Sequence, residues 1–234
     1  MGKDVIIACD FSSAKDTFDF LDKFTDEKPF VKIGMEAGSF LQPQTVSSKV
    51  AAAKRHKIFL DLKLHDIPNT VKKAMSVLSN LDVDMTNLHA AGTVEMMKAA
   101  VEGLTKADGT RPILIAVTQL TSTSEERMQN ELLINASIND TIVKYAENAK
   151  LAGLDGVVCS PLEAGMVKEA CGTAFMTVTP GVRFADGEVG DQVRVTTPAK
   201  AKEIGSDYIV VGRPITQAAD PVAAYRRCVK EFVD

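Results

Sequence analysis

The stretch FLDLKLHDIP, residues 59–68, places charged side chains in a run that otherwise alternates like a β-strand. Asp61 and Lys63 are two residues apart, so on a strand they point to the same face, about 6 to 7 Å apart along the backbone. Asp66 follows beyond the expected strand end, where a turn can direct it into the same pocket or outward to another chain. Two carboxylates near one ammonium group could keep it protonated and aimed for proton transfer and for stabilising a developing anion.

A structural explanation for these charges also stands: Asp61 and Lys63 form a buried ion pair, and Asp66 caps a helix that begins near Pro68. Structural ion pairs are common, and a perturbed charge identifies a functional site only probabilistically. However, burying a charge costs several kcal/mol per ion, and apolar side chains of the same volume are often as stable or more so. This cost favours a role in a pocket.

A second polar cluster ends the apolar run near the C-terminus, where VVGRP contains Gly212 and Arg213. The loops after the last strands of a barrel often bind phosphate through backbone N–H groups and a cation, and glycine permits close approach. Arg183 and Gln192 lie in the long polar connection 183–198, whose length is typical of a lid or a binding loop. They could contact the same anion as a guanidinium and an amide donor. Each residue alone is typical of a solvated surface, but together the four indicate an anion site.

The elements that must position these residues are eight short apolar or β-branched runs that alternate with amphipathic segments. The runs are DVIIACD, FVKIGM, KIFLDLKL, MTNLHA, PILIAVTQL, GVVCSP, FMTVTPGV and YIVVGRP. Such alternation favours a parallel sheet. Eight repeats in 234 residues are near the minimum for a (β/α)₈ barrel and too many strands for most open sheets of this length. We therefore predict an α/β protein with one TIM-barrel domain over residues 1–234.

Catalytic side chains of such barrels gather at the C-terminal ends of the strands. Polar residues are found at the ends of several runs here: Asp10, Lys32, Asp61, Lys63, Asn87, His89, Thr121 and Arg213. We expect one water-filled pocket at that end of the barrel.

Composition and motifs exclude several classes of function. The net charge of −4 and the pI near 5.5 argue against a nucleic-acid or membrane surface. The four cysteines lack C-x-x-C spacing, which indicates neither a zinc site nor a disulfide framework and fits a reducing cytosol. No apolar run approaches the roughly 18 residues of a spanning helix, and no signal-peptide pattern is recognised. Nucleotide-cofactor motifs are absent, and His56 is expected on the surface.

The segment DLKLHDIPNT resembles the D-x-K-x-x-D-I-P-N-T signature of the orotidine 5′-phosphate decarboxylase family, in its short bacterial form. The segments ACDF, VKIG, VTQLTS, TPGVR, DQVRVTTP and VVGRP follow in the family's order, so the resemblance covers essentially the whole chain. It implies that the protein converts orotidine 5′-monophosphate to uridine 5′-monophosphate and CO₂ in pyrimidine biosynthesis. It also implies a homodimer, and together with the cysteines and the absent motifs it predicts a cytoplasmic enzyme that needs neither a cofactor nor a metal.

The resemblance further implies a role for each matching residue. Lys63 is similar to the family's proton donor to C6 of the pyrimidine, within a charged network formed by Lys32, Asp61, Lys63 and Asp66. The remaining matching residues contact different parts of the substrate in the family: Asp10 and Lys32 the ribose, Thr121 the pyrimidine ring, and Arg183, Gln192, Gly212 and Arg213 the phosphate, with Pro180 lining the pocket. Asp66, Ile67 and Thr70 would complete the active site of the partner subunit.

Two other interpretations remain open at this point. Related barrel enzymes with a D-x-K-x-x-D motif, such as 3-keto-L-gulonate 6-phosphate decarboxylase and hexulose-phosphate synthase, stabilise an enediolate with a divalent metal. The IPNT and VTQLTS segments favour the orotidylate enzyme. A noncatalytic nucleotide-binding barrel is the third interpretation, and the intact set of Asp61, Lys63 and Asp66 argues against it, because simple binding does not need those charges.

Overall fold

The computed structural model describes residues 3–34, 56–186 and 196–234. Eight parallel strands close into a barrel in sequence order, and β1 pairs with β8 to complete it. The strands are β1 (Asp4–Ala8), β2 (Phe30–Ile33), β3 (Ile58–Leu64), β4 (Met85–His89), β5 (Ile113–Val117), β6 (Gly156–Val158), β7 (Met176–Thr179) and β8 (Tyr208–Val211). Each lies within one of the eight runs identified from the sequence. The prediction of a (β/α)₈ TIM barrel is confirmed.

Helices surround the barrel within the described ranges. They are α1 (Ala14–Leu21), α2 (Pro68–Leu78), α3 (Thr93–Leu104), α4 (Glu125–Glu131), α5 (Ile138–Leu151), α6 (Ala164–Cys171), α7 (Pro198–Ile204), α8 (Arg213–Thr216) and α9 (Pro221–Phe232), with short 3₁₀ turns at Ala90–Gly92 and Pro161–Glu163. Several begin at a side-chain cap, since the hydroxyls of Ser13, Ser137 and Thr197 accept N–H groups of the first turn. Such caps satisfy backbone donors that have no partner inside the helix.

The core has two layers because successive side chains of a strand point to opposite faces. Val5 and Ile7 point outward into the layer between the strands and the helices, whereas Ile6 points into the barrel. The inward-facing residues of the lower barrel are apolar and fully or nearly buried: Ile6, Phe30, Phe59, Met85, Ile115, Met176 and Tyr208. They form a packed floor, as expected for a barrel of eight strands.

The polar pocket residues continue the same inward-facing rows toward the C-terminal ends of the strands. Two residues after Phe30 comes Lys32, two after Phe59 comes Asp61, and two after Met85 comes Asn87. Because alternate residues of a strand face the same side, the strand positions that form the apolar floor are followed, two residues later, by polar side chains at the mouth of the barrel.

The prediction that His56 lies on the surface is wrong. His56 is only 4% exposed, and its Nδ1 lies 2.9 Å from the carbonyl oxygen of Pro29. His56 lies two residues before β3, and this contact joins it to the residue that precedes β2. The sequence predicted exposure because His56 stands among the basic residues Lys54, Arg55 and Lys57. Its burial becomes evident only in the folded chain.

All four cysteines are free and buried. None of the helices in the described part of the chain is both long and apolar enough to cross a bilayer.

Candidate active site

The end of β3 departs from regular strand geometry at Lys63. Its φ is +51°, in the left-handed region that side chains with a Cβ rarely adopt. Pairing between β3 and β4 is also irregular, because the register shifts between Leu60 and Leu64. Lys63 Nζ nevertheless reaches Asp61 Oδ1 at 2.7 Å, so the two side chains meet, but through this left-handed residue and not through the regular strand alternation on which the sequence prediction rests.

Asp61 lies between two ammonium groups. Its Oδ2 is 3.0 Å from Lys32 Nζ, and its Oδ1 is 2.7 Å from Lys63 Nζ. Lys32 also contacts Asp10 Oδ1 at 2.9 Å. The four side chains thus form one row of alternating charge, Asp10–Lys32–Asp61–Lys63, contributed by three adjacent strands and the residues that follow them.

The electrostatics keep the two central members of this row, Lys32 and Asp61, charged. Burial would raise the pKa of Asp61, but the two ammonium groups and hydrogen bonds from Lys63 and Asn87 bring that pKa below its ordinary value. Burial would likewise lower the pKa of Lys32, whereas the carboxylates of Asp61 and Asp10 raise it above its ordinary value. Asp61 is therefore a carboxylate and Lys32 an ammonium ion at neutral pH.

Two connected hollows open at this end of the barrel. The first has a volume of about 500 Å³ and is lined by Asp10, Arg183, Gly212 and Arg213, among others. The second has a volume of about 290 Å³ and is lined by Asp61, Lys63 and Thr121. Lys32, Pro180 and Val210 line both hollows, so the two form one continuous site.

The two hollows differ in chemistry. Arginines and the ends of β7 and β8 surround the first, which suits an anionic group. The second has apolar walls that include Val117, Val158 and Val178, with charged groups of β3 at one side. Such a hollow suits a flat ring that meets a few polar groups.

Most of the residues predicted for the site line these hollows: Asp10, Lys32, Asp61, Lys63, Thr121, Pro180, Arg183, Gly212 and Arg213. Gln192 lies outside the described residues.

Asp66, Ile67 and Thr70 do not line the pocket of their own chain. All three are exposed, Ile67 by 65%. Asp66 Oδ1 accepts the N–H of Ile67 at 2.6 Å, and within the described ranges Asp66 forms no ion pair. Helix α2 begins at Pro68 as expected, but without a side-chain cap. The alternative in which Asp66 caps this helix is therefore wrong.

Asn87 and Gln119 also line the second hollow. The sequence analysis placed Asn87 at the pocket end of its run without a specific role and did not name Gln119. Both are buried polar residues near the ends of inward-facing rows. Asn87 lies two residues after the inward-facing Met85, and Gln119 lies four residues after the inward-facing Ile115. Even spacing from an inward-facing residue is the signal in the sequence that points to both.

A closed (β/α)₈ barrel with a charged pocket at the C-terminal ends of its strands places the protein among the TIM-barrel enzymes. The chain belongs to the Orotidine 5'-phosphate decarboxylase / HUMPS family, whose model matches residues 3–228.

Proteins similar to this chain carry the same name. This chain is 60% identical over 230 residues to an orotidine 5'-phosphate decarboxylase of Streptococcus thermophilus, and the match covers 98% of this chain and 97% of that protein. This chain is also 52% identical over 235 residues to an orotidine 5'-phosphate decarboxylase of a Geobacillus species, and the match covers 99% of this chain and 98% of that protein. The crystal structure of orotidine 5'-phosphate decarboxylase from Lactobacillus acidophilus superposes with a TM-score of 0.87 at 42% identity, covering 99% of this chain and 100% of that one.

Proposed function

We propose that this protein is a carboxy-lyase that converts orotidine 5′-monophosphate to uridine 5′-monophosphate and CO₂ in de novo pyrimidine biosynthesis, with residues 1–234 acting as one catalytic domain. Family membership and the names of the similar proteins support the reaction. The observation that carries the proposal is the Asp61–Lys63 pair, with Nζ and Oδ1 2.7 Å apart at the side of an apolar hollow that continues into an arginine-lined one.

The proposed chemistry explains why a charged row is needed. When the bond between C6 and the carboxylate breaks, the electron pair stays on C6 in the plane of the ring, where no carbonyl or imine can delocalise it. The Lys63 ammonium would stabilise this localised carbanion and then transfer a proton to C6. CO₂ leaves, and Lys63 regains its proton from solvent.

Asp61 has a separate role in this proposal. Fixed between Lys32 and Lys63, its carboxylate would aim the Lys63 ammonium and lie beside the departing carboxylate. Asp10 and Lys32 are 2.9 Å apart, and Lys32 lines both hollows. These two side chains would hold the ribose hydroxyls. Thr121 and Pro180 would contact the pyrimidine ring.

The first hollow would bind the phosphate through Arg183, Arg213 and the backbone at Gly212, with Gln192 as an amide donor. Binding energy from this nonreacting end can be used to exclude water and fix the reacting end. The phosphate contacts should therefore influence turnover as well as affinity.

Replacing Arg213 with alanine tests this assignment. We expect kcat/KM to fall by about 10- to 100-fold, since charge-assisted hydrogen bonds to an anion contribute roughly 1.5 to 3 kcal/mol. Arg226→Ala is the matched control, because Arg226 pairs with Glu27 on the exposed surface. Steady-state kinetics on both variants make the comparison, and equal values for them would contradict a phosphate role for Arg213.

We further propose that the protein is a cytoplasmic homodimer in which Asp66, Ile67 and Thr70 reach the pocket of the partner subunit. The exposure of these three residues on their own chain supports the shared site, above all that of the apolar Ile67, which is 65% exposed. The four free cysteines fit a reducing compartment.

The reaction itself is tested by mixing purified protein with orotidine 5′-monophosphate and following the ultraviolet absorbance. We expect uridine 5′-monophosphate and CO₂ without added cofactor, and an unchanged rate after EDTA treatment. The reason is that Asp61, the central carboxylate, is neutralised by two lysines and is a poor ligand for a divalent ion. Activity that vanishes with EDTA and returns with Mg²⁺ would instead favour the metal-dependent sugar-phosphate enzymes.

A further inference from the structure

Asn87 joins the two charged residues of β3 from the neighbouring strand β4. Its side chain is buried, with 1% of the residue exposed. Its Oδ1 accepts the backbone N–H of Lys63 at 2.7 Å, and its Nδ2 donates to Asp61 Oδ1 at 2.7 Å. The orientation of the amide follows from its partners, because a backbone N–H can only donate and a carboxylate can only accept.

These hydrogen bonds lie where the strand pairing is interrupted. Leu60 pairs with Thr86 and Leu64 pairs with Leu88, so β3 advances by four residues while β4 advances by two. Asn87 is the β4 residue opposite the extra length of β3. At this interruption in the pairing of β3 with β4, the side-chain carbonyl of Asn87 accepts the backbone N–H of Lys63.

Lys63 needs such a restraint because its backbone is strained. Its φ of +51° is unfavourable for a residue with a Cβ, and conformations of this kind persist only where the surroundings hold them. A change of the Lys63 φ away from this value would redirect its Cα–Cβ bond, and the 2.7 Å contact of Nζ with Asp61 depends on that direction.

We propose that Asn87 is a positioning residue, whose carboxamide holds the Lys63 backbone in its left-handed conformation and orients the Asp61 carboxylate toward the Lys63 ammonium. This inference rests on the function proposed above for Lys63. Asn87 acts through Lys63 and Asp61, and one amide group fixes both partners of the pair at once.

The first test is Asn87→Leu, which keeps the number and branching of the side-chain heavy atoms and removes both hydrogen bonds. We expect kcat to fall by about 10²-fold, the effect of a small misplacement of a reacting group, while the dissociation constant of uridine 5′-monophosphate stays within a few-fold. Thr86→Val is the matched control, because Thr86 is equally buried and its Oγ1 donates to the carbonyl of Leu60 on β3 at 3.0 Å, and not to either charged side chain. An Asn87→Leu kcat equal to that of Thr86→Val would overturn the proposal.

A second variant, Asn87→Asp, tests the same contacts through pH. When ionised, the new carboxylate can accept the backbone N–H of Lys63 but is repelled by the carboxylate of Asp61. When protonated, it can accept this N–H and donate to Asp61, as the carboxamide of Asn87 does. The charged and titratable groups around it are Asp61 and Lys63 on β3, Lys32 on β2, His89 at the end of β4, and His65, whose ring centroid is 5.7 Å from that of His89. Burial beside Asp61 should raise the pKa of the new carboxyl.

The ratio of kcat for Asn87→Asp to kcat for the unmodified protein should therefore rise as the pH falls from about 8 to about 5. Asn87→Leu should show no such rise, since it has no group to protonate. A flat ratio for Asn87→Asp would contradict the proposal, because a residue that only fills space gives no pH-dependent recovery.

These results are distinguishable from a failure of the proposed function. If the unmodified protein does not decarboxylate orotidine 5′-monophosphate, the proposed function is wrong, and crystal structures of the unmodified and Asn87→Leu proteins still decide the role of Asn87. We expect Lys63 to leave the left-handed region and its Nζ to move away from Asp61 in the variant. An unchanged Lys63 conformation would overturn the positioning role.

Discussion

Replacing Lys63 with alanine should reduce decarboxylation of orotidine 5′-monophosphate by at least about 10⁴-fold, because the proposed proton donor and the cation that stabilises the C6 carbanion are lost together. The affinity for uridine 5′-monophosphate should change by no more than a few-fold, since the ribose and phosphate contacts lie elsewhere in the site. An ultraviolet decarboxylation assay gives the first quantity and isothermal titration calorimetry the second.

The control for this experiment is Lys144→Ala. Lys144 lies on α5 with its side chain 68% exposed, so its removal should leave turnover unchanged. Circular dichroism should show that both variants fold. Turnover retained in Lys63→Ala would refute the proton-donor role, whatever the outcome for the phosphate site.

Mixing two inactive variants should restore activity if sites are shared between subunits. Lys63→Ala and Asp66→Ala should each be inactive as homodimers, but a mixed dimer has one pocket with both residues intact. With random exchange, about a quarter of the wild-type activity should return, because half of the dimers are mixed and each has one of two sites complete. The exposure of Asp66 on its own chain is the physical reason for this expectation.

A second mixture provides the control. Lys63 and Asp61 contact each other within one chain at 2.7 Å, so Lys63→Ala mixed with Asp61→Ala should recover no activity. Subunit exchange can be verified with two affinity tags. Absence of recovery with Asp66→Ala, despite confirmed exchange, would mean that Asp66 acts within its own chain or has no role in turnover.

The apolar periodicity of the chain was sufficient to predict the barrel. Each of the eight runs became a strand because short β-branched segments between amphipathic helices bury both faces. The same alternation predicted that Asp61 and Lys63 share a face, and the polar residues that end several runs predicted a pocket at one end. These conclusions need only local information, since the direction of a side chain on a strand follows from its place in the run.

The tertiary structure decided what the local pattern could not. Lys32 lies between Asp10 and Asp61, His56 is buried rather than solvated, and Asn87 contacts Asp61 and Lys63 across 26 and 24 residues of sequence. Lys63 reaches Asp61 through a left-handed backbone rather than a regular strand. Such contacts depend on the register between neighbouring strands. A shift in that register changes which residues lie opposite each other, and no pattern within a single run specifies it.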